Sequence, residues 1–210
     1  MSGVDVSAQV QTESDWTGHW HQGKRFAYVL ATEGVDHVNP GFAAQYAESF
    51  DAGLIRGAYH FALPDRSSGA DQAEFFVDNG GAWKDDGMTL PGALNLEFNP
   101  YGKACYGLTK AELSDWALDF GDTYREWTGR YPVVYTSPVW WAQCAGAGGG
   151  PANPLWVARH SATPGALPRE LGVFPLWDRP SEVVEHPPHD RLLALVGTDA
   201  EQVRPAHPRE

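Results

Sequence analysis

Apolar residues recur along the chain in two alternating rhythms. Short runs rich in Val, Ile, Tyr and Phe, bounded by Gly, Pro or Asp, read as strands. They lie at Val4–Ser7, Phe26–Ala31, Leu54–Phe61, Gly92–Glu97, Pro132–Thr136, Leu155–Arg159, Phe174–Trp177 and Leu192–Val196. Between the early runs lie amphipathic stretches. In Pro40–Ala52, Phe42, Tyr46 and Phe50 recur every four residues, and in Ser67–Asn79, Ala70, Ala73, Phe76 and Val77 share a face. Thr109 is followed three residues later by Glu112, a capping-box pattern in which each side chain satisfies a first-turn N–H. It opens a helix expected to run to about Trp127.

Eight strands, the first five alternating with helices, predict the α/β class: an irregular eight-stranded α/β (TIM-like) barrel with about five helices. A doubly wound open sheet is the alternative, but the Gly run Gly146–Gly150 lacks the Lys-Ser/Thr ending of a phosphate loop and reads as a plain loop. A chain of 210 residues suits one domain, expected over 1–199, with the polar, Pro- and His-rich residues 200–210 as a disordered tail. The longest apolar runs fall far short of the roughly 20 residues of a membrane helix. Met1-Ser2-Gly3 leads into a strand pattern without a basic and apolar leader, so this reading leaves a cytoplasmic location open.

Charge and composition narrow the partners. Fifteen basic against 27 acidic residues give a net charge of −12, which argues against nucleic acid or an anionic membrane. Nine Trp, eight Tyr and nine Phe suit a protein that stacks flat ligands, although aromatics also fill cores. His19/His21 and His186/His189 have spacings that can bind metal, but lack Cys or carboxylate partners at recognisable distance, so neither metal nor cofactor is expected. A monomer is expected. Cys105 and Cys144 would pair in an exported protein and stay as thiols in a reducing cytosol.

In an α/β barrel, chemistry sits at the carboxyl ends of the strands. The candidate strands end near Asp5, Glu33, Tyr59-His60-Phe61, Asn95-Leu96-Glu97, Tyr135, Trp156, Trp177-Asp178 and Thr198-Asp199. The strand period of two puts Asn95 and Glu97 on one face and Leu94 and Leu96 on the other. Carboxylates ringed by aromatics read as a sugar groove, and glycoside cleavage needs an acid for the leaving oxygen plus a group supporting the cationic carbon. Glu97 suits the acid. The plainer alternative makes Glu97 and Asp5 loop caps, and His60 a hydrogen-bonded histidine at the barrel mouth.

A series of motifs then follows in order. These are Gly3-Val4-Asp5-Val6-Ser7, Phe26-Ala27-Tyr28-Val29, Ala31-Thr32-Glu33-Gly34, Arg56-Gly57-Ala58-Tyr59-His60-Phe61, Leu90-Pro91-Gly92-Ala93-Leu94-Asn95-Leu96-Glu97, Val134-Tyr135-Thr136 and Leu155-Trp156-Val157-Ala158. The chain, over about residues 3–160, resembles glycoside hydrolase family 25, the Chalaropsis-type lysozymes or N-acetylmuramidases. It looks most like secreted actinobacterial members, which share Asn99-Pro100, Cys105-Tyr106-Gly107-Leu108 and Trp140-Trp141. The resemblance implies an irregular barrel of eight strands and five helices, an extracellular location, and hydrolysis of the N-acetylmuramic acid–N-acetylglucosamine β-1,4 link of peptidoglycan. It implies a Cys105–Cys144 disulfide and Glu97 as acid, with Asp5 and Asp199 as supporting carboxylates; Asp190 fits the last acidic position less well. Tyr59, His60, Glu33, Tyr135, Trp156 and Trp177 would line the substrate groove.

The resemblance breaks at the chemistry. The family pattern Asp-x-Glu reads Asn95-Leu96-Glu97 here. An amide cannot act as a nucleophile and offers no charge to an oxocarbenium-like centre, although it can orient an acetamide attacking within the substrate. Leu30 stands where the family commonly has Lys, Ala8-Gln9 where it has Trp-Gln, and Trp177-Asp178-Arg179 where it has Trp-Gln-Tyr. An engineered Asp-to-Asn change would leave these other departures unexplained; drift away from lysozyme activity accounts for all of them. Three readings follow: a slow muramidase, a catalytically inactive glycan-binding protein, or a barrel recruited to other chemistry.

Overall fold

Seven strands form one sheet in a computed structural model that describes residues 2–7, 15–145 and 153–158. They are β1 (Ser2–Val6), β2 (Lys24–Glu33), β3 (His37–Val38), β4 (Ile55–Phe61), β5 (Ala93–Leu96), β6 (Val133–Thr136) and β7 (Leu155–Val157). The path β1-β2-β4-β5-β6-β7 is parallel throughout, and β3 folds back antiparallel on the end of β2. Parallel neighbours need crossovers. Each of the five carries one helix: α1 (Trp16–His21), α2 (Phe42–Asp51), α3 (Gly69–Phe76), α4 (Lys110–Thr128) and α5 (Pro138–Trp140). The architecture is a curled, half-barrel-like parallel sheet with helices outside it.

Ring contacts demonstrate the curl. Tyr28 on β2 and Trp156 on β7 are separated by three strands of the path, yet their ring centroids lie 5.2 Å apart. Inside the curve Phe26, Tyr28, Leu90, Ala93, Val133 and Trp156 form one cluster, with Ile55, Tyr59 and Tyr135 against it. Gly57, opposite Tyr28, allows this: a Cβ there would run into the Tyr28 ring. Outside the curve the alternate residues Ala31, Ala58, Leu94, Leu96, Val134, Leu155 and Val157 pack against α3 and α4.

The longest helix forms as its sequence pattern predicts. Thr109 accepts from the Glu112 N–H at 3.3 Å, and Glu112 Oε2 accepts from the Thr109 N–H at 2.7 Å. Leu113, Trp116, Ala117, Phe120, Gly121 and Tyr124 line the buried face, and Gly129, in left-handed conformation, ends it. The helix expected over 67–79 stops earlier, at Phe76. A wide turn over Val77–Gly81 follows, in which Gly80 takes φ +106° and the Asn79 amide donates to the Phe75 carbonyl.

Cys105 and Cys144 form a disulfide. The expected strands at 174–177 and 192–196, the loop at 146–150 and the tail at 200–210 lie outside the described residues. Among the described residues no helix is long and apolar enough to cross a membrane.

Candidate active site

Strand parity decides which side chains reach the inner face at the carboxyl ends. Asp5 pairs with Tyr28, Leu30 with Tyr59, and Phe61 with Asn95, which in turn pairs with Tyr135. Side chains in register across parallel strands share a face. Asp5, Tyr59, Phe61, Asn95 and Tyr135 therefore line the inner side, and Glu97 continues from Asn95 beyond the strand. Glu33 joins them through an irregularity. The register slips between Leu30 and Thr32, so Ala31 is the extra residue of a bulge and Glu33 comes opposite Phe61. Without that extra residue, strict alternation would turn Glu33 toward the helices.

Tyr59 stands among the acidic groups. The charges of Asp5, Glu97 and Glu33 all act on its phenol, which burial already pushes well above the ordinary tyrosine value. Its O–H is a fixed donor at any neutral pH. Burial also raises the Asp5 carboxyl above its usual range; a hydrogen bond from its own backbone opposes this, and the Glu97 charge adds to it.

The central contact is between Asn95 and Glu97. Asn95 Nδ2 donates to Glu97 Oε2 at 3.1 Å, while the buried Asn95 Oδ1 meets no partner among the described residues. The amide thus gives Glu97 a hydrogen bond but no negative charge, and it holds an unused acceptor beside the carboxylate. Tyr135 packs edge-on to Trp156, ring centroids 4.8 Å apart, and Trp156 is buried in the inner cluster behind the carboxylates. Asp199, Trp177 and Asp190 lie outside the described residues.

His60, read from the sequence as a substrate contact, lies on the other side of the sheet. It follows Tyr59 by one residue, so alternation turns it outward, where it is fully buried. Its Nδ1 lies 2.8 Å from Thr32 Oγ1 and its Nε2 2.9 Å from Gln72 Oε1, with Phe120 stacked on the ring. Burial lowers its pKa to about 4, against a smaller opposing effect of the Gln72 hydrogen bond.

A segment without an assigned role in the sequence borders the site. Residues 98–108 cross the mouth from Glu97 toward α4. Asn99 Nδ2 donates to Asp65 Oδ2 at 3.2 Å, and the Tyr106 hydroxyl lies 3.1 Å from the carbonyls of both Ala62 and Glu97. Tyr101 OH donates to Glu33 Oε1 at 2.6 Å. The motifs at 99–100 and 105–108 were the available signal; the Tyr101–Glu33 partnership, 68 residues apart, was not visible. Among the described residues no group of three metal-ligating side chains converges, His19 and His21 included.

Comparisons with known proteins show what the chain is similar to. The sequence profile of glycosyl hydrolases family 25 matches residues 4–177. Lysozyme M1 of Streptomyces globisporus is 42% identical over 179 residues, covering 84% of this chain and 60% of that protein, so the chain spans under two thirds of that relative's length. The N,O-diacetylmuramidase of Chalaropsis sp is 41% identical over 183 residues, covering 84% of this chain and 86% of the relative. Among solved structures, a muramidase from Acremonium alcalophilum superposes with a TM-score of 0.74 at 45% identity, covering 82% of this chain and 83% of that one.

Proposed function

Because the chain belongs to glycosyl hydrolases family 25, we propose that it acts on the glycan strand of peptidoglycan as a muramidase, at a rate limited by Asn95. The observation that carries this reading is the Asn95–Glu97 pair on the inner face, flanked by Asp5, Tyr59 and Tyr135. Glu97 gives its proton to the glycosidic oxygen between N-acetylmuramic acid and N-acetylglucosamine as the C1–O bond breaks. The carbonyl oxygen of the substrate's own 2-acetamido group bonds to C1 from the opposite side. Asn95 Oδ1, a buried acceptor without a protein partner among the described residues, takes the acetamide N–H and holds it for that attack. Water, losing a proton to Glu97, then adds to C1 and restores the acetamide. Asp5 lends negative charge to the cationic centre to the extent that it is ionised.

We extend the reading to the rest of the chain. The expected strands at 174–177 and 192–196 complete an eight-stranded barrel, and Trp177 and Asp199 complete its groove. The disulfide supports an oxidising, extracellular setting. The chain works as a monomer, without cofactor.

The amide at position 95 favours one competing reading, a glycan-binding protein without turnover. Turnover of purified peptidoglycan by the native chain, Asn95→Asp and Glu97→Gln separates the two. The muramidase expectation is slow native turnover, a rise of about 100-fold in Asn95→Asp, and a loss of about 100-fold or more in Glu97→Gln. Glycan binding with no turnover in any form selects the binding protein.

A further inference from the structure

Glu33 and Tyr101 lock two separate parts of the mouth together. Glu33 reaches the inner face only through the Ala31 bulge, and Tyr101 stands on the segment that continues from Glu97. That segment is anchored at Asp65, at the Ala62 and Glu97 carbonyls through Tyr106, and at Cys144 through the disulfide. A hydroxyl held 2.6 Å from a carboxylate locates the far end of the side chain. The phenol remains a donor there, its pKa pushed up to about 12 by burial and by the Glu33 hydrogen bond and charge.

So firm an anchorage is at odds with the ring's exposure. Tyr101 is 47% exposed. Seven large apolar side chains are exposed among the described residues, and five of them stand on segments that follow the carboxyl ends of strands: Val35, Val38, Phe98, Tyr101 and Val139. Phe50 and Trp127, at the ends of α2 and α4, are the other two. Exposed apolar surface gathered on one side of a soluble domain marks a contact face. Here that side carries the carboxylates.

We propose that Tyr101 is a specificity-determining residue of the glycan groove, its ring packing against the apolar face of an N-acetylated sugar, and that Glu33 is the positioning residue that fixes the ring rather than a substrate contact. This rests on the glycan reading above and names one wall of the groove. An aromatic ring with a tethered hydroxyl offers flat apolar area at reduced entropic cost, since its far end is held before the sugar arrives.

The test is calorimetric titration of the full chain with chitotetraose, comparing native protein, Tyr101→Ala, Tyr101→Phe, Glu33→Gln, the Tyr101→Phe/Glu33→Gln double variant and Trp127→Ala. Tyr101→Ala is expected to weaken binding about 10-fold, an effect the size of one aromatic contact. Tyr101→Phe keeps the ring but frees it, and is expected to weaken binding about threefold. Glu33→Gln keeps an acceptor but loses the charge, so it should fall between the native protein and Tyr101→Phe, with no further loss in the double variant, because both act on the same anchor. Trp127→Ala should bind as the native protein does. Native-like binding by Tyr101→Ala overturns the assignment while leaving the glycan reading standing. A further loss in the double variant beyond Tyr101→Phe shows Glu33 touching sugar and overturns its positioning role. Absence of chitotetraose binding by the native chain overturns the groove wall, while the peptidoglycan assay tests the glycan reading separately.

Discussion

His60 on β4 and Asn95 on β5 are both buried polar side chains close to strand ends, and they face opposite sides of the same sheet. Behind the sheet every polar atom around His60 has a partner. Gln72 Nε2 donates to the Leu63 carbonyl at 2.8 Å, so its Oε1 faces His60 and also accepts the Leu63 N–H. His60 Nε2 must therefore carry the proton, and its Nδ1 accepts from Thr32. At the mouth the pattern reverses. Asn95 donates one amide N–H to Glu97 and leaves a buried carbonyl oxygen unpaired among the described residues, a cost of about 1–3 kcal/mol. A closed network stabilises the fold; the unpaired acceptor beside a carboxylate is the atom that the proposed acetamide contact would use.

The two sides also differ in what holds them, and the largest expected effect tests that. The outer side is closed by α3 and α4, which approach closely where a Cβ on Gly69 would meet the backbone of Trp116 and Phe120. The mouth depends on a loop tied covalently between Cys105 and Cys144, 39 residues apart. Loop-closure entropy for that span gives about 4 kcal/mol. Denaturant unfolding of the Cys105→Ser/Cys144→Ser variant is expected to show a loss of that order. Glycan affinity should fall as well, because Tyr101 loses an anchor nearby. An unchanged unfolding midpoint would mean that hydrogen bonds alone secure the mouth, erasing this difference between the sides.

Local signals in the sequence carried most of the fold. The six described parallel strands lie within two residues, at each end, of the apolar runs that predict them, and the Thr109/Glu112 box forms as its spacing requires. These features depend on neighbours three or four residues away. The same holds for Asn95 and Glu97, which a period of two places together. What the sequence hid depends on the third dimension or on one extra residue. His60 belongs to a strand end but to the wrong face of it. Glu33 was legible as a strand-end residue, but the Ala31 bulge that turns it inward has no sequence mark. Tyr101 finds its partner 68 residues away, beyond any local rule. The short β3 pairing and the early end of α3 were missed for similar reasons: a two-residue strand has no periodicity, and a wide turn after Phe76 depends on Gly80 at φ +106°.

A somewhat smaller effect sharpens the closed side of the comparison. Burial lowers the His60 pKa from 6.5 to about 4, so the native state refuses a proton that the unfolded chain accepts. Stability from this group is complete above pH 6.5 and declines as pH falls from 6.5 toward 4, by about 3 kcal/mol in all. Asp5 acts with the opposite sign: its raised pKa favours the folded state as pH falls through the carboxylate range. Comparing urea unfolding of the native chain and His60→Phe at a series of pH values isolates the histidine. The variant is expected to be less stable at pH 7 and flatter between pH 6.5 and 4. Parallel curves for the two proteins would remove His60 as the source of the slope.

The smallest effect on stability is expected at Asn95, and there the two sides separate most cleanly. Asn95→Leu keeps the side-chain size and removes both the hydrogen bond to Glu97 and the orphaned oxygen. The lost bond to a charged group costs about 1.5–3 kcal/mol, and removing the unpaired acceptor returns about 1–3 kcal/mol. The net change is therefore centred near zero, between about −1.5 and about +2 kcal/mol. The same exchange at His60 strands Thr32 and Gln72 in a dry interior and gains nothing in return. Function should respond in the reverse sense: Asn95→Leu loses the acetamide acceptor and with it chitotetraose affinity and any turnover. Denaturant unfolding and titration on the one variant measure both quantities. A large destabilisation with intact glycan binding would make Asn95 a structural residue like His60, and the mouth would no longer differ from the core behind it.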